Sequence, residues 1–487
     1  MGDTASDDEQ VLRDLGYRQE LLRRMSAFSN FAISLSIICI LAGGITSFHL
    51  AIAGVGGAAI GIGWPVGGLL GLAFAATMGQ LASAFPTAGG LYHWASILGG
   101  RGWGWATAWF NLLGLITVLA AINVGTWLFL AGSIAPLVGI DAATLGGAVQ
   151  IAAVVAITAS QALVNHFGIR LTTRLTDFSG WWILGVAVAL TIALLVFAPS
   201  HDFTRLFTFS NFSGAPGHDV WPHTGSLLWL FALGLIHPAY TITGFDASAH
   251  TSEETVDAAR SVPKAIVRSV LVSGIFGWVM VTALLLAAPT VAGAAAQGDR
   301  AFFWIVESAL PRSLAIALYA GIVLAQYLCG LATVTSSSRM VYAFARDGGL
   351  PASDKLRRVS ERHRVPATAI WAVAILTVAF AVYTPVYSTI TTVCVIFLYL
   401  SYGTPVFLGL FAYGRSWTKM GPWSLGPWYR PLAVVCVFAC ALFVAIGVAP
   451  PNEKALWFTG GTIALLVAIW FLFERKRFRG PPVISGR

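Results

Sequence analysis

The sequence predicts an all-α integral membrane protein with twelve transmembrane helices. Of its 487 residues, 57% are hydrophobic and only 10% are Asp, Glu, Lys or Arg, where a soluble domain carries roughly a quarter charged. The apolar residues gather into long runs, most of them at least the ~20 residues that cross hydrocarbon as a helix. Twenty-five of the 29 Lys and Arg residues fall on one side of those runs. Folded as a soluble globule, such a chain would expose large apolar patches. Disorder, a collagen repeat and a small disulfide scaffold are excluded by the same counts.

Residues 1–26 are polar with both signs of charge and lack the basic-then-apolar order of a cleaved signal peptide. They are read as a cytoplasmic N-terminal segment. The predicted spans are 27–50, 62–85, 103–133, 148–165, 178–199, 226–249, 265–290, 311–341, 367–384, 387–411, 431–450 and 457–473. The glycine-rich stretch 50–62 prolongs one of its neighbours. These runs do not alternate apolar and polar residues, which argues against a β-barrel. Backbone groups in lipid must be satisfied locally, so each run is read as a helix. Together they form one domain over 27–473, with ten helices in 27–411 and two more in 431–473. A loop is expected over 200–225, a polar connection over 342–366, and a basic cytoplasmic tail over 474–487.

The even span count puts both termini on one side, and the basic excess makes that side cytoplasmic. Only Arg205, Arg300, Arg312 and Lys454 lie opposite. This predicts a multi-pass protein of the inner (plasma) membrane. Topology also accounts for the formal charge of +8, so no nucleic-acid partner is implied. Membrane lipids are the expected surroundings, with Trp103, Trp105, Trp109 and Trp457 as interface anchors. Cys39, Cys329, Cys394, Cys436 and Cys440 form no CxxC and no metal-ligand spacing, and read as small hydrophobes. No cofactor and no metal are predicted. No HExxH pattern, phosphate loop or nucleophile-base arrangement points to an enzyme.

Two spans carry more than hydrophobic filler. The first contains Gly43, Gly44, Ile45 and Thr46; the sixth contains Tyr240, Thr241, Thr243 and Gly244, after His237 and Pro238. Glycine allows bends and close backbone approach. A broken helix in a membrane frees N–H and C=O groups, and such breaks persist where protein, water or substrate lines the site. The freed N–H end favours a carboxylate and the C=O end an ammonium or small cation. Breaks in spans one and six would be corresponding elements of two five-helix repeats, the sequence pointer to a secondary-transporter site. Taken alone, Gly43 and Gly44 also fit ordinary helix packing.

The polar residues around these breaks leave alternatives open. Asp246 suits substrate, proton or gating chemistry, with structural pairing or helix capping as the alternative. His250 and the pair Glu253-Glu254 follow at helical spacing and read as interface or gate residues, or as ordinary electrostatic closure with nearby Arg260 and Lys264; Arg339 marks the cytoplasmic end of span eight and reads as a gate contact. Thr335 and Ser336 either complete a small cation site with the break in span one or satisfy neighbouring helix groups. Tyr240 either caps a substrate cavity or packs.

Several motifs carry a family resemblance: Leu15-Gly16-Tyr17-Arg18-Gln19-Glu20-Leu21, Phe28-Ser29-Asn30-Phe31, Ala84-Phe85-Pro86-Thr87-Ala88-Gly89-Gly90, Thr243-Gly244-Phe245-Asp246-Ala247-Ser248 and Ser338-Arg339-Met340-Val341-Tyr342. With them the chain resembles the amino acid–polyamine–organocation superfamily, in the branch of permeases for amino acids, gamma-aminobutyrate and choline. The resemblance covers most of residues 15–450. It implies a LeuT-like 5+5 inverted repeat with two additional helices and alternating access around a central substrate. It further implies carboxylate binding at Gly43, Gly44, Ile45 and Thr46 and amine binding at Tyr240, Thr241, Thr243 and Gly244. Some proton-driven relatives place a lysine in the fifth span, and none occurs in 178–199.

The expected activity is secondary active transport of an amino acid or related small amine, with proton coupling favoured over sodium coupling or exchange. A choline or gamma-aminobutyrate permease or exchanger, and a non-transporting membrane solute sensor, are the alternatives.

Overall fold

The computed structural model describes residues 2–140, 144–214, 220–384 and 387–482, and the named elements among them are all helices. After α1 (Gly2–Asp14), a polar strap leads to α2 (Ala27–Ile37). Ser26 opens α2 by accepting from the Ser29 N–H at 3.0 Å, a side-chain cap for an orphan donor. A non-helical stretch follows, then α3 (Gly43–Thr46) and α4 (Phe48–Val55). The chain continues through α5 (Trp64–Ala84), α6 (Leu91–Gly99), α7 (Arg101–Ser133), α8 (Gly147–His166) and α9 (Ile169–Phe197). A second interrupted stretch comprises α10 (Leu227–Gly234), α11 (Ile236–Thr241) and α12 (Ala247–His250). Beyond it lie α13 (Ala258–Ala287), α14 (Val291–Ala295), α15 (Ala301–Ala309), α16 (Arg312–Arg346) and α17 (Ser353–Leu356). The last four are α18 (Ala367–Tyr383), α19 (Tyr387–Ala412), α20 (Tyr429–Gly447) and α21 (Glu453–Ile469).

Among the described residues, nine helices are long and apolar enough to cross a membrane, and four shorter apolar segments cover 27–37, 43–55, 227–241 and 367–383. The predicted spans without a long helix of their own are therefore the first, sixth and ninth. The first and sixth are interrupted; the ninth is a 17-residue helix. The glycine-rich stretch divides between its neighbours: Phe48–Val55 prolongs the first segment, and a wide turn at Ala59–Gly63 prolongs the second. Residues 215–219 of the predicted 200–225 loop and 483–487 of the predicted tail lie outside the described residues.

Burial sorts the helices into centre and rim. The most apolar window of α7 is 83% buried, against 11% for that of α21. A helix apolar on every side is satisfied either by core or by lipid, and α7, α16 and α19 form the core. α16 runs on to Arg346, past the expected end near residue 341, so Arg339 sits inside the helix and is almost fully buried. Over 35 residues α16 spans about 50 Å, which gives the bundle two distant ends. The N-terminal strap contacts the Arg346 end, while α15 lies at the Arg312 end.

Candidate functional site

The two interruptions lie against each other. Helix stops at Ile37 and resumes at Gly43; it stops again at Thr241 and resumes at Ala247. A β-carbon on Gly43 would stand 2.8 Å from Thr241 Cα. Gly244 has φ +85°, and a β-carbon there would stand 2.1 Å from Ile37 Cγ2. Gly43 is thus a point where the first interruption admits the backbone of the second, and Gly244 a point where the second admits the Ile37 side chain at the end of α2. Side chains lace the same crossing. Ser34 Oγ donates to the Phe245 carbonyl at 2.8 Å, and Asn30 Nδ2 donates to the Ser248 carbonyl and to Thr251 Oγ1, each at 3.0 Å. Ser47 Oγ donates to the Gly43 carbonyl at 2.6 Å.

Backbone groups freed in apolar surroundings need partners, and neighbouring helices supply them. The Gly244 N–H donates to Tyr402 Oη at 3.0 Å, the Leu41 carbonyl accepts from Gln326 Nε2 at 3.2 Å, and the Ile37 carbonyl accepts from Cys329 Sγ at 3.4 Å. Tyr402 in turn donates to Asp246 Oδ1 at 2.8 Å. Asp246 Oδ2 accepts from Asn111 Nδ2 at 2.9 Å and lies 3.2 Å from His250 Nε2. The other His250 nitrogen, Nδ1, lies 3.1 Å from the Ala88 carbonyl. A carbonyl only accepts, so Nδ1 carries a hydrogen, and a second proton must sit between Nε2 and Asp246 for that contact to be a hydrogen bond.

A cavity of about 340 Å³ opens at the Arg312 end of the bundle, within the range of small-molecule sites. Exposed Asp299 and Arg300 stand at its mouth, Phe302 forms part of its wall, and Ile45, Thr46 and Tyr387 lie deep within it. Gly43, Gly44, Tyr240, Thr241, Thr243 and Gly244 do not line it; they are buried behind its floor. Tyr387 makes the separation. Its hydroxyl contacts Thr46 Oγ1 and donates to Tyr240 Oη at 3.4 Å, with the two tyrosine rings edge to face at 6.2 Å.

The opposite end is closed by ion pairs. Arg339 spans both oxygens of Glu254 at 2.9 and 3.0 Å, and Arg346 spans both oxygens of Glu253 at 3.0 and 2.9 Å. The strap lies across them: Gln19 donates to the Glu253 carbonyl at 2.8 Å, Arg23 to the Thr255 carbonyl at 2.6 Å, and the Met25 N–H to the Glu254 carbonyl at 2.8 Å. Tyr17 and Tyr92 both donate to Asp347 Oδ2 at 2.7 Å, with His93 Nε2 at 3.2 Å. Burial opposes the Glu253 charge, but Arg346 and the Ala88 N–H outweigh it and hold the carboxyl below the ordinary glutamate value. Burial likewise opposes the Asp347 charge, and His93, Arg346 and Tyr17 outweigh it in the same direction.

The amino acid permease family profile matches residues 25–473. The chain belongs to the amino acid permease family. The amino-acid permease BAT1 of Arabidopsis thaliana is 31% identical, over 98% of this chain and 96% of its own. Its homolog from Oryza sativa subsp. japonica is 32% identical, over 96% and 94%. The GABA-specific permease of Saccharomyces cerevisiae is 29% identical, over 98% and 86%. The protein is therefore a multi-pass secondary transporter of the permease superfamily and not a catalytic enzyme.

In this permease the residues singled out from sequence divide into groups. Gly43, Thr241, Gly244 and Asp246 meet at the crossing; Ile45 and Thr46 reach the cavity; Glu253 and Arg339 belong to the ion-paired end. Thr335 Oγ1 donates to Asn165 Oδ1 at 2.7 Å, while the buried Ser336 Oγ has no partner among the described residues. Tyr387, Tyr402 and Asn111 were not singled out. They sit in apolar runs with no local motif, far along the chain from the residues they touch, and only folding brings them to the site.

Proposed function

We propose that this permease imports an amino acid or related small amine across the plasma membrane by alternating access, coupled to protons. The reading assigns twelve crossings, the three without a long helix included, to a LeuT-like pair of five-helix repeats with two additional helices and both termini cytoplasmic. The observation that carries it is the mutual packing of the two interruptions directly behind a cavity whose depth ends at Ile45 and Thr46. Substrate enters past Asp299 and Arg300. Tyr387 and Tyr240 part, and the substrate reaches Gly43, Gly44, Ile45 and Thr46 with its carboxylate and Tyr240, Thr241, Thr243 and Gly244 with its amine. The Gly244 N–H and Tyr402 hydroxyl satisfy each other until then, so substrate exchanges one set of hydrogen bonds for another instead of desolvating bare groups.

Asp246 and His250 hold the coupling proton in this reading. Release of the Glu253–Arg346 and Glu254–Arg339 pairs opens the inner end. Thr335 and Ser336 are the candidates for a cation site if sodium replaces the proton. A second substrate reading, gamma-aminobutyrate, is favoured by the similarity to the GABA-specific permease of Saccharomyces cerevisiae.

Purified protein in liposomes tests both. Saturable uptake and counterflow are expected within a panel of amino acids, gamma-aminobutyrate, amines and choline, with accumulation following an imposed pH gradient. The absence of saturable flux under opposed pH gradients, sodium gradients and preloaded exchange would overturn transport; accumulation that follows sodium alone would overturn proton coupling.

A further inference from the structure

A second concavity, of about 180 Å³, lies near the ion-paired end but outside the bundle core, between the start of α13 and the start of α2. It is lined by Arg260, Lys264 and Arg268 together with Asp257, Ala27 and Phe31. The three cations are spaced four residues apart, so they share one face of α13 and climb about 12 Å along it. Like charges at this spacing destabilise a helix. Arg260 has a weak partner in Asp257 at 3.7 Å, with both side chains partly exposed. Lys264 and Arg268 are exposed and make no ion pair or hydrogen bond among the described residues.

The same face of α13 continues into exposed Leu271, Ile275 and Val279, apolar residues that suit hydrocarbon. The cations therefore stand where that face leaves the hydrocarbon. Aromatic residues mark the same level on the neighbouring helices: Phe28 stacks on the exposed Trp181 at 5.4 Å, and Phe28 lies 6.0 Å from Phe31 of the groove. Aromatic rings gather at the boundary between lipid tails and water. A basic excess on one side of the membrane explains how many cations occur there. It does not explain three on one face, lining a groove that also holds Ala27 and Phe31, with two of them unpaired.

We propose that this groove binds the headgroup phosphate of an anionic phospholipid, with Lys264 and Arg268 on the phosphate and Phe31 against the upper acyl chain. Three cations against one carboxylate leave the groove positive, and basic pockets between helices at the headgroup level suit anionic lipid. The bound headgroup would bridge α13 to α2, the leading half of the first interrupted helix. The site stands independently of substrate identity and coupling.

Native mass spectrometry of the full-length detergent-purified protein tests it, with phosphatidylglycerol, phosphatidylcholine and inorganic phosphate as probes. Wild type should retain phosphatidylglycerol in preference to phosphatidylcholine, and inorganic phosphate should not displace it. The double variant Lys264→Gln/Arg268→Gln should bind phosphatidylglycerol about 30-fold more weakly, each cation contributing about fivefold. A control pair on the exposed connection, Arg358→Gln/Arg362→Gln, should bind as wild type. Unchanged affinity in the site variant, an equal fall in the control, or displacement by inorganic phosphate would each overturn the lipid site. Should the double variant not fold, wild type decides: a saturable rise in melting temperature with phosphatidylglycerol alone supports the site, and its absence removes it.

Discussion

Gly43 and Thr241 touch backbone to backbone at the point where two interrupted helices cross, with room at residue 43 for a hydrogen and nothing larger. From the other side, Gly244 leaves room for the Ile37 side chain, whose Cγ2 would stand 2.1 Å from a β-carbon there. Two breaks that each hold a glycine against the other form a joint whose geometry depends on missing side chains.

Valine at either position should disable that joint. Overpacking costs about 1–3 kcal/mol, so Gly43→Val is expected to lower substrate flux about tenfold or more. Gly244→Val should be worse, because its positive φ adds about 1–2 kcal/mol of backbone strain. Flux normalised to protein in the membrane, with melting curves in detergent, checks both; wild-type flux and melting in the two variants would remove the crossing from the mechanism.

Tyr387 separates the open cavity from the interruptions, so weakening its hold should ease access. Tyr387→Phe keeps the ring against Tyr240 and removes the hydroxyl that contacts Thr46. A hydrogen bond contributes about 1 kcal/mol net, and apparent affinity rises with the fraction of protein in the binding-competent form. Apparent KM for uptake is expected to fall by up to about fivefold. An unchanged or higher KM would show that Tyr387 does not close the site.

Asp246→Asn retains shape but removes the carboxylate that lies 3.2 Å from His250 Nε2. Accumulation driven by a pH gradient should be lost, while counterflow of preloaded substrate persists. Full pH-driven accumulation in this variant would take Asp246 out of coupling; loss of counterflow as well would make its role structural.

Glu253 contributes to stability with a definite pH dependence. Its folded pKa lies below the ordinary value, so its contribution is full above about pH 4.3 and fades as pH falls through the lowered value. Glu253→Gln leaves Arg346 without its carboxylate and should cost about 3 kcal/mol at pH 7. The gap in melting temperature from wild type should narrow below about pH 4. A gap that is constant from pH 7 to pH 3 would mean that the carboxylate charge is not what stabilises this end.

Much of this architecture was legible because lipid imposes it. Length and apolarity alone locate the long helices, and paired glycines mark the first interruption. Yet the break itself falls just before them, over 38–42, among ordinary apolar residues. The carbonyls of Leu41 and of Ile37 just before the break find their partners in Gln326 and Cys329, nearly three hundred residues away in sequence. Arg339 illustrates the opposite limit. A charge near the end of an apolar run reads as a helix terminus, whereas Glu254 lets the charge remain buried inside α16 and the helix continue. Tyr402 and Asn111 were hidden for the same reason as Gln326: a single polar side chain in an apolar run gains meaning only from what folding sets opposite it.

The strap from Tyr17 to Met25 runs directly into the first interrupted helix, and its bonds reach both Asp347 and the turn holding Glu253 and Glu254. Tilting that helix must therefore drag on two distant turns at once, coupling three stretches of chain like hands on one rope. A fluorophore at exposed Arg18, which carries no bond of the strap, would sense that pull at the end of the bundle far from the open cavity.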